Sequence, residues 1–165
     1  LMKQFCDLLI GKWGAQIKGC HFPCSVGRSG IGKKTHEGDG ITPEGTWRLM
    51  FLMARGDRLR INVSHKINIK DVWSNDPLDP EYNHLRKSNS GFSCERLWRS
   101  DPLYDLIGVT NFNWPTAVPG VGSAIFLHTW RKPRHPTEGC IAFALKDLSM
   151  IFRLWEPRSK LIIKA

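Results

Sequence analysis

The chain has 165 residues, enough for one domain with its own core, and its 41% hydrophobic and 24% charged residues are typical of a globular protein. These values argue against intrinsic disorder, and no apolar run is long enough to span a bilayer. The formal charge of +9 favours anionic partners, either nucleic acid or a polymer rich in free carboxylates.

The first half of the chain predicts short strands joined by turns, because glycine and proline are frequent and helical periodicity is scarce. Residues 15–26 predict a first strand or hairpin, and a glycine-rich loop follows over residues 27–40. Thr42-Pro43-Glu44-Gly45 is typical of a tight turn, since Pro43 fixes its own φ. Residues 46–54 then predict one buried strand, with four alternating apolar residues: Trp47, Leu49, Phe51 and Met53.

The second half begins with residues 71–91, whose Asp-Pro, Asn and Ser content predicts a long ordered loop. Residues 103–109 predict another strand. The clearest strand is expected over residues 123–129, where Ala124, Phe126 and His128 share one face.

The C-terminal part carries the best helical pattern of the chain. Five apolar residues recur at helical spacing just before Pro157, namely Leu145, Leu148, Ile151, Phe152 and Trp155. Residues 161–163 are expected to close a sheet as the last strand. Because no repeat or linker interrupts the pattern, residues 1–165 predict a single domain of mainly β (α+β) class.

Five cysteines leave at least one thiol unpaired within the chain and are too few for a disulfide-built miniprotein. Cys20, His21 and Cys24 are spaced like metal ligands, but no second Cys or His pair follows at zinc-site spacing. We therefore expect no metal and no cofactor, and we expect Cys20 and Cys24 to pack as small apolar groups.

Cys140 follows His128 by 12 positions, in the segment Thr137-Glu138-Gly139-Cys140. A chain that leaves a strand at His128 can loop over the surface and return beside it, so that the imidazole takes the thiol proton. Gly139 permits a sharp turn, which would aim backbone N–H groups at the oxyanion of a tetrahedral intermediate. On spacing alone, however, a core cysteine and a hydrogen-bonded strand-end histidine are the better explanation.

The segments around His128 and Cys140 favour a catalytic role for this pair. Ile125-Phe126-Leu127-His128-Thr129, followed by Thr137-Glu138-Gly139-Cys140-Ile141-Ala142, resembles the active-site signature of the YkuD-type L,D-transpeptidase family. Gly38-Asp39-Gly40-Ile41-Thr42-Pro43-Glu44-Gly45-Thr46 looks like the Thr-Pro-x-Gly turn of that family. The resemblance runs from about Cys24 to the C-terminus and is to a short, single-domain branch.

The resemblance implies a β-sandwich of mixed sheets with a helix after the catalytic cysteine. Cys140 would be the nucleophile, and His128 the base, oriented by the backbone carbonyl of Thr129. Backbone amides of Glu138, Gly139 and Cys140 would form the oxyanion hole. The reaction would be crosslinking of peptidoglycan stem peptides through an acyl-enzyme, open to covalent inhibition by carbapenem-type β-lactams.

The sequence also departs from the family pattern. The His128-to-Thr137 gap is short, Glu138 stands where His is common, and Ala142 stands where Arg is common. Because this loop is short, the sequence does not predict which segment covers the substrate or which group accepts the acyl chain.

Candidate substrate contacts are spread over three segments: Trp73, Tyr82, Asn113, Arg131 and Thr137. Glu95 would either bind an amine acceptor or pair with Arg96 or Arg99 at the surface.

Two alternatives remain open from the sequence. One is an L,D-carboxypeptidase or other cysteine amidohydrolase that uses water as acceptor, and the other is a non-catalytic basic module for an anionic polymer. The substrate implies a periplasmic monomer that binds neither nucleic acid nor membrane. Leu8-Leu9-Ile10 is too short for a signal-peptide core, so the sequence shows no export signal.

Overall fold

The computed structural model describes residues 6–88 and 91–165. Its elements, in chain order, are β1 (Leu8–Ile10), β2 (Gly14–Ile17), β3 (Cys20–Pro23), β4 (Ile31–Gly32), β5 (Thr42–Pro43), β6 (Gly45–Trp47), β7 (Leu49–Ala54), β8 (His65–Lys66), β9 (Asp71–Ser74), β10 (Leu85–Lys87), β11 (Cys94–Arg96), β12 (Leu106–Thr110), β13 (Phe126–Thr129), β14 (Ile141–Phe143), α1 (Leu145–Leu154) and β15 (Leu161–Ile163).

The described strands form two five-stranded sheets and two smaller ones. One large sheet has the order β3-β2-β1-β15-β6, and the other has the order β14-β13-β12-β7-β8. Both are mixed, because β1 pairs in parallel with β15, and β13 pairs in parallel with β14, among otherwise mainly antiparallel neighbours. The smaller sheets are β10-β9-β11 and β4-β5. This architecture confirms the predicted mainly β sandwich of mixed sheets with a helix.

A shared apolar core joins the two large sheets to the helix. Leu8 from the first sheet, and Leu127 and Ile141 from the second, pack in one cluster with Leu148 and Ile151 of α1. The five side chains are 0% exposed. Full burial of one such side chain contributes roughly 1.5–3 kcal/mol, so this cluster fixes how the sheets face each other.

The α1 helix follows from its sequence. Leu148 and Ile151 lie on one face, three positions apart, and are fully buried. Asp147 in the first turn and Arg153 in the last have the signs that the helix dipole favours.

A second cluster of buried side chains supports the His128 end of the second large sheet. Trp73 packs edge-to-face on Phe126 with ring centroids 5.0 Å apart, and Tyr104 packs on Phe126 at 6.0 Å. Met53 is fully buried in the same cluster, and the half-buried Cys140 packs against this cluster. The cysteine therefore lies on a rigid aromatic base.

The pairing of β13 with β14 returns the chain beside its origin. Leu127 pairs with Ile141, His128 with Ala142 and Thr129 with Phe143, all in parallel. Residues 130–140 form the loop between these strands, so the predicted return of the chain beside His128 is confirmed.

Several predicted elements are confirmed. The hairpin over residues 15–26 is β2 and β3, the strand over 123–129 is β13, and the helix and last strand are α1 and β15. The strand predicted at 103–109 exists but is shifted to β12.

Four structural predictions need correction. Thr42-Pro43-Glu44-Gly45 is not a tight turn, because Thr42–Pro43 is strand β5, paired in parallel with β4, and Gly45 already begins β6. The stretch 46–54 is not one strand, because the chain changes sheets at Arg48: β6 pairs with β15, whereas β7 pairs with β12. The stretch 71–91 contains the antiparallel strands β9 and β10, although residues 89–90 of that prediction lie outside the described residues. Cys24 is buried as expected, but Cys20 is exposed on β3.

Thr42 ties the N-terminal glycine-rich segment to the Cys140 loop. Its buried hydroxyl accepts a hydrogen bond from the Gly27 N–H and donates one to the Gly139 carbonyl, both at 2.8 Å. One side chain thus satisfies two buried backbone groups that lie far apart in sequence.

Substituting Thr42→Val keeps the side-chain shape but leaves both backbone groups without their partner. We expect the free energy of unfolding to fall by about 2 kcal/mol or more, since an unsatisfied buried polar group costs roughly 1–3 kcal/mol. Urea denaturation at constant slope is the measurement. The control is Thr46→Val on exposed β6, expected within about 0.5 kcal/mol of wild type. Equal effects of the two substitutions would contradict the assigned role of Thr42.

Candidate active site

A cleft of about 530 Å³ opens beside β13 and the start of β14. Cys140 and His128 both line this active-site cleft. The cleft wall also includes Lys34, Glu95, Tyr104, Arg131 and Thr137. A nucleophile and a base that share one cleft are the minimum that acyl transfer requires.

His128 is held in a defined tautomer. Its Nδ1 lies 2.7 Å from the backbone carbonyl of Thr129, and since a carbonyl only accepts, Nδ1 carries the proton. The Tyr104 ring packs edge-on at 5.4 Å between centroids and restricts the imidazole further. In the neutral ring, the lone pair of Nε2 is thus left to take a proton.

Burial keeps the imidazole neutral. Burial, with a smaller contribution from the charge of Arg99, lowers the pKa of His128 to about 4, although the carbonyls of Thr129 and Leu103 act in the opposite direction. At neutral pH His128 is therefore an unprotonated base.

The Cys140 sulfur has two backbone partners. The Phe126 N–H donates to Sγ at 3.4 Å, and the thiol donates to the Ala124 carbonyl at 3.0 Å. The parallel pairing of β13 with β14 begins at Leu127 and Ile141, one residue after Phe126. The Phe126 N–H therefore has no β14 carbonyl opposite it and donates to the Cys140 sulfur instead.

Burial also keeps the thiol neutral. It raises the pKa of Cys140 to about 12, and the Glu95 carboxylate raises it too, while the Phe126 N–H and Lys34 lower it. The resting pair is a neutral thiol with a neutral imidazole, rather than the ion pair of some cysteine enzymes.

The turn before Cys140 is fixed by Thr137. The Thr137 hydroxyl donates to the Cys140 carbonyl at 2.6 Å and accepts from the Gly139 N–H at 3.1 Å. Gly139 has φ of 143°, and a Cβ there would lie 2.8 Å from the Ile41 carbonyl, so only glycine fits. The Glu138 side chain points outward and pairs with Arg28 at 2.9 Å.

Lys34 supplies a buried positive charge beside this turn. Its Nζ pairs with Asp39 at 2.6 Å, both side chains are less than 5% exposed, and a Cβ on Gly139 would lie 3.4 Å from Nζ. Sequence reasoning did not single out Lys34, since only the folded glycine-rich segment brings it to the cysteine.

Of the five residues predicted to contact substrate, two line the cleft and three do not. Arg131 and Thr137 lie in the cleft wall. Trp73 is 1% exposed in the aromatic core, and Tyr82 is buried, with its hydroxyl bonded to Glu37. Asn113 uses its side chain on the backbone of Val118 and Gly122.

Asn83 links that region to the nucleophile. Its Oδ1 accepts from the Ala124 N–H and from Trp73 Nε1, both at 2.9 Å, and its Nδ2 donates to the Asn113 carbonyl at 2.6 Å. Ala124 has φ of 53°, which is unfavourable for alanine, and this contact holds it there. Asn83 therefore positions the carbonyl that accepts the hydrogen bond of the Cys140 thiol.

Two features associated with other functions are absent from the described residues. Within residues 6–88 and 91–165, no group of three or more His, Cys, Asp or Glu side chains is arranged to hold a metal ion. The same part of the chain contains no helix with the length and apolar character that crossing a membrane requires.

Comparison with known proteins gives one family. The family model of the YkuD L,D-transpeptidase catalytic domain matches residues 16–163, nearly the whole chain. No curated protein gives a significant match. The matched span contains Cys140, His128 and the Thr42-Pro43-Glu44-Gly45 segment, which the sequence had singled out.

Because the pKa of Cys140 lies near 12, its alkylation by iodoacetamide should be slow at neutral pH. The rate is expected to rise about tenfold for each pH unit from about pH 7 to about pH 10, since only the thiolate reacts. Peptide-resolved mass spectrometry measures this rate for Cys140 separately from the exposed Cys20 and Cys94. A plateau below pH 8 would show a preformed thiolate and contradict the neutral resting pair.

Proposed function

The chain belongs to the YkuD L,D-transpeptidase family, and we propose that it crosslinks peptidoglycan stem peptides through an acyl-enzyme on Cys140. That family is cysteine-dependent and acts on peptidoglycan stem peptides of the cell wall, outside the cytoplasm. The observation that carries the proposal is the common cleft of Cys140 and His128, which parallel pairing of β13 and β14 brings together.

In the first stage, the Cys140 thiol exchanges the Ala124 carbonyl for Nε2 of His128, which takes the thiol proton as Sγ attacks the peptide carbonyl carbon. The C–N bond then breaks, the leaving amine takes the proton from His128, and a thioester remains on Cys140. Burial disfavours each ionisation alone, but a thiolate and an imidazolium formed together attract each other strongly in that environment. We therefore propose coupled proton transfer with substrate bound.

The oxyanion is assigned to the backbone amides of Glu138, Gly139 and Cys140. The Gly139 N–H already donates to Thr137 Oγ1, so it has to exchange that acceptor for the oxyanion. The Lys34 ammonium beside the turn adds a favourable field for negative charge at this point.

Arg131 and Thr137 in the cleft wall are proposed to contact the donor stem peptide. Arg131 suits the carboxylates of such peptides. Trp73, Tyr82 and Asn113 are proposed to act indirectly, since Trp73 and Asn113 contact Asn83, and Tyr82 immediately precedes it. We place the reaction in the periplasm, where this substrate lies.

The second stage transfers the acyl group to an amine of a neighbouring stem and restores the thiol. Water in place of the amine would give an L,D-carboxypeptidase. The half-buried Glu95 carboxylate in the cleft favours an amine acceptor, because a carboxylate attracts an ammonium group and not water specifically.

The direct test is incubation with disaccharide-tetrapeptide and mass spectrometry of the products. Wild type should release the terminal D-residue and form a dimer, and Cys140→Ala should lower total turnover at least about 10³-fold. His128→Ala should lower it about 10²- to 10⁴-fold, since it removes the general base. Cys20→Ala, on exposed β3, is the matched control and should retain activity.

Full turnover by Cys140→Ala would refute the mechanism. Hydrolysis without any dimer in wild type would favour the carboxypeptidase. A carbapenem should also acylate Cys140, because it offers a strained carbonyl to the thiolate. Absence of product and adduct, together with salt-dependent polymer binding that Cys140→Ser leaves intact, would favour the non-catalytic basic module.

A further inference from the structure

The active-site cleft contains a carboxylate that the acylation stage does not use. Glu95 lies on β11, is half-buried and lines the cleft together with Cys140. The hydroxyl of the buried Tyr104 donates to Glu95 Oε1 at 2.5 Å, whereas Oε2 accepts no hydrogen bond from the described part of the chain. One oxygen is thus anchored and the other is available to a ligand.

Glu95 forms no ion pair within residues 6–88 and 91–165, although the charge of Arg99 acts on it and opposes the rise in its pKa that burial causes. The Arg99 guanidinium instead bonds Asp101 at 2.8 and 2.6 Å. The surface ion pair of Glu95 with Arg96 or Arg99, which the sequence left open, is not formed among the described residues.

An unpaired carboxylate here works against the nucleophile. The Glu95 charge raises the pKa of Cys140 and so opposes thiolate formation. Burial raises the pKa of Glu95 itself, which makes it a better proton acceptor than an exposed carboxylate. A cation bound at Oε2 would neutralise the Glu95 charge, and the raised pKa of Glu95 would allow the carboxylate to take a proton from that cation.

Tyr104 connects this carboxylate to the base. Its hydroxyl bonds Glu95 while its ring packs on His128. Burial raises the pKa of Tyr104 well above 10, so the hydroxyl remains protonated and continues to donate. One rigid side chain therefore sets the separation of Glu95 from the reacting centre.

We propose that Glu95 binds the primary ammonium group of the acyl acceptor and takes one proton from it before the amine attacks the Cys140 thioester. This inference rests on the proposed transpeptidase function and names its acceptor residue. Glu95 would therefore be a catalytic residue of the second stage.

The proton balance of this stage is complete. Glu95 takes one proton from the ammonium, and the neutral amine forms a C–N bond to the thioester carbonyl. As the C–S bond breaks, the nitrogen loses a second proton to His128, which passes it to the departing sulfur. Glu95 then releases its proton to solvent, so an ammonium and a thioester give an amide, a thiol and one proton.

The test compares Glu95→Gln with wild type on disaccharide-tetrapeptide. Gln keeps an acceptor for Tyr104 but removes the charge and the base. The ratio of dimer to hydrolysed product should fall about 10²-fold. The rate of Cys140 acylation by a carbapenem should stay equal or increase, because a negative charge near the sulfur is lost.

Glu81→Gln is the matched control, since it removes an exposed carboxylate outside the cleft and should leave the ratio unchanged. An unchanged ratio in Glu95→Gln, or an equal fall in acylation and dimer formation, would overturn the acceptor role. If wild type forms no dimer and no hydrolysed product, the proposed function itself fails.

A second measurement on wild type does not depend on the stability of a variant. An acceptor stem with a trimethylated amine cannot attack but keeps its positive charge, and it should inhibit dimer formation. The matching acetylated stem is neutral and should inhibit at least about tenfold less. Equal inhibition by the two stems would contradict charge recognition by Glu95.

Discussion

The parallel pairing of β13 with β14 is the constraint on which the rest of the site depends. It places the strand after Cys140 beside the strand that carries His128, with only residues 130–140 between them. Where the ladder ends, the Phe126 N–H is left over and donates to the sulfur. The hydrogen-bond pattern of the sheet thereby becomes part of the nucleophile environment, and no added element is needed to present the thiol.

Burial determines how this site works, because it affects the two partners in opposite directions. It raises the pKa of the thiol and lowers that of the imidazole, so both are neutral at rest. A neutral thiol reacts slowly with general thiol reagents, so in the proposed reaction its activation would depend on the bound substrate. The Thr137 and Thr42 hydroxyls then matter chiefly as supports, since they hold the Gly139 turn that aligns the sulfur with the cleft.

The sequence predicted what depends on local pattern. Alternation located the His128 strand, helical spacing located α1, and the Gly-Cys segment identified Cys140. It missed the change of sheet at Arg48, because alternation does not say which neighbour a strand pairs with. The sequence also predicted that Trp73 and Tyr82 contact substrate. The composition of this segment is the same whether its side chains face a ligand or are buried beside Asn83, as they are in the structure. The proximity of Lys34 and Glu95 to the sulfur arises only from tertiary contacts between distant segments.

The two stages of the proposed reaction need opposite electrostatics in one cleft. Thiolate formation is favoured by positive charge, which Lys34 supplies from beside the Gly139 turn. Capture of an ammonium is favoured by negative charge, which Glu95 supplies from β11. The acylated sulfur is a neutral thioester and no longer has to ionise, so the Glu95 carboxylate does not oppose the attack of the acceptor on it. The carboxylate that hinders the free enzyme is therefore harmless in the acyl-enzyme, the state in which an acceptor must bind.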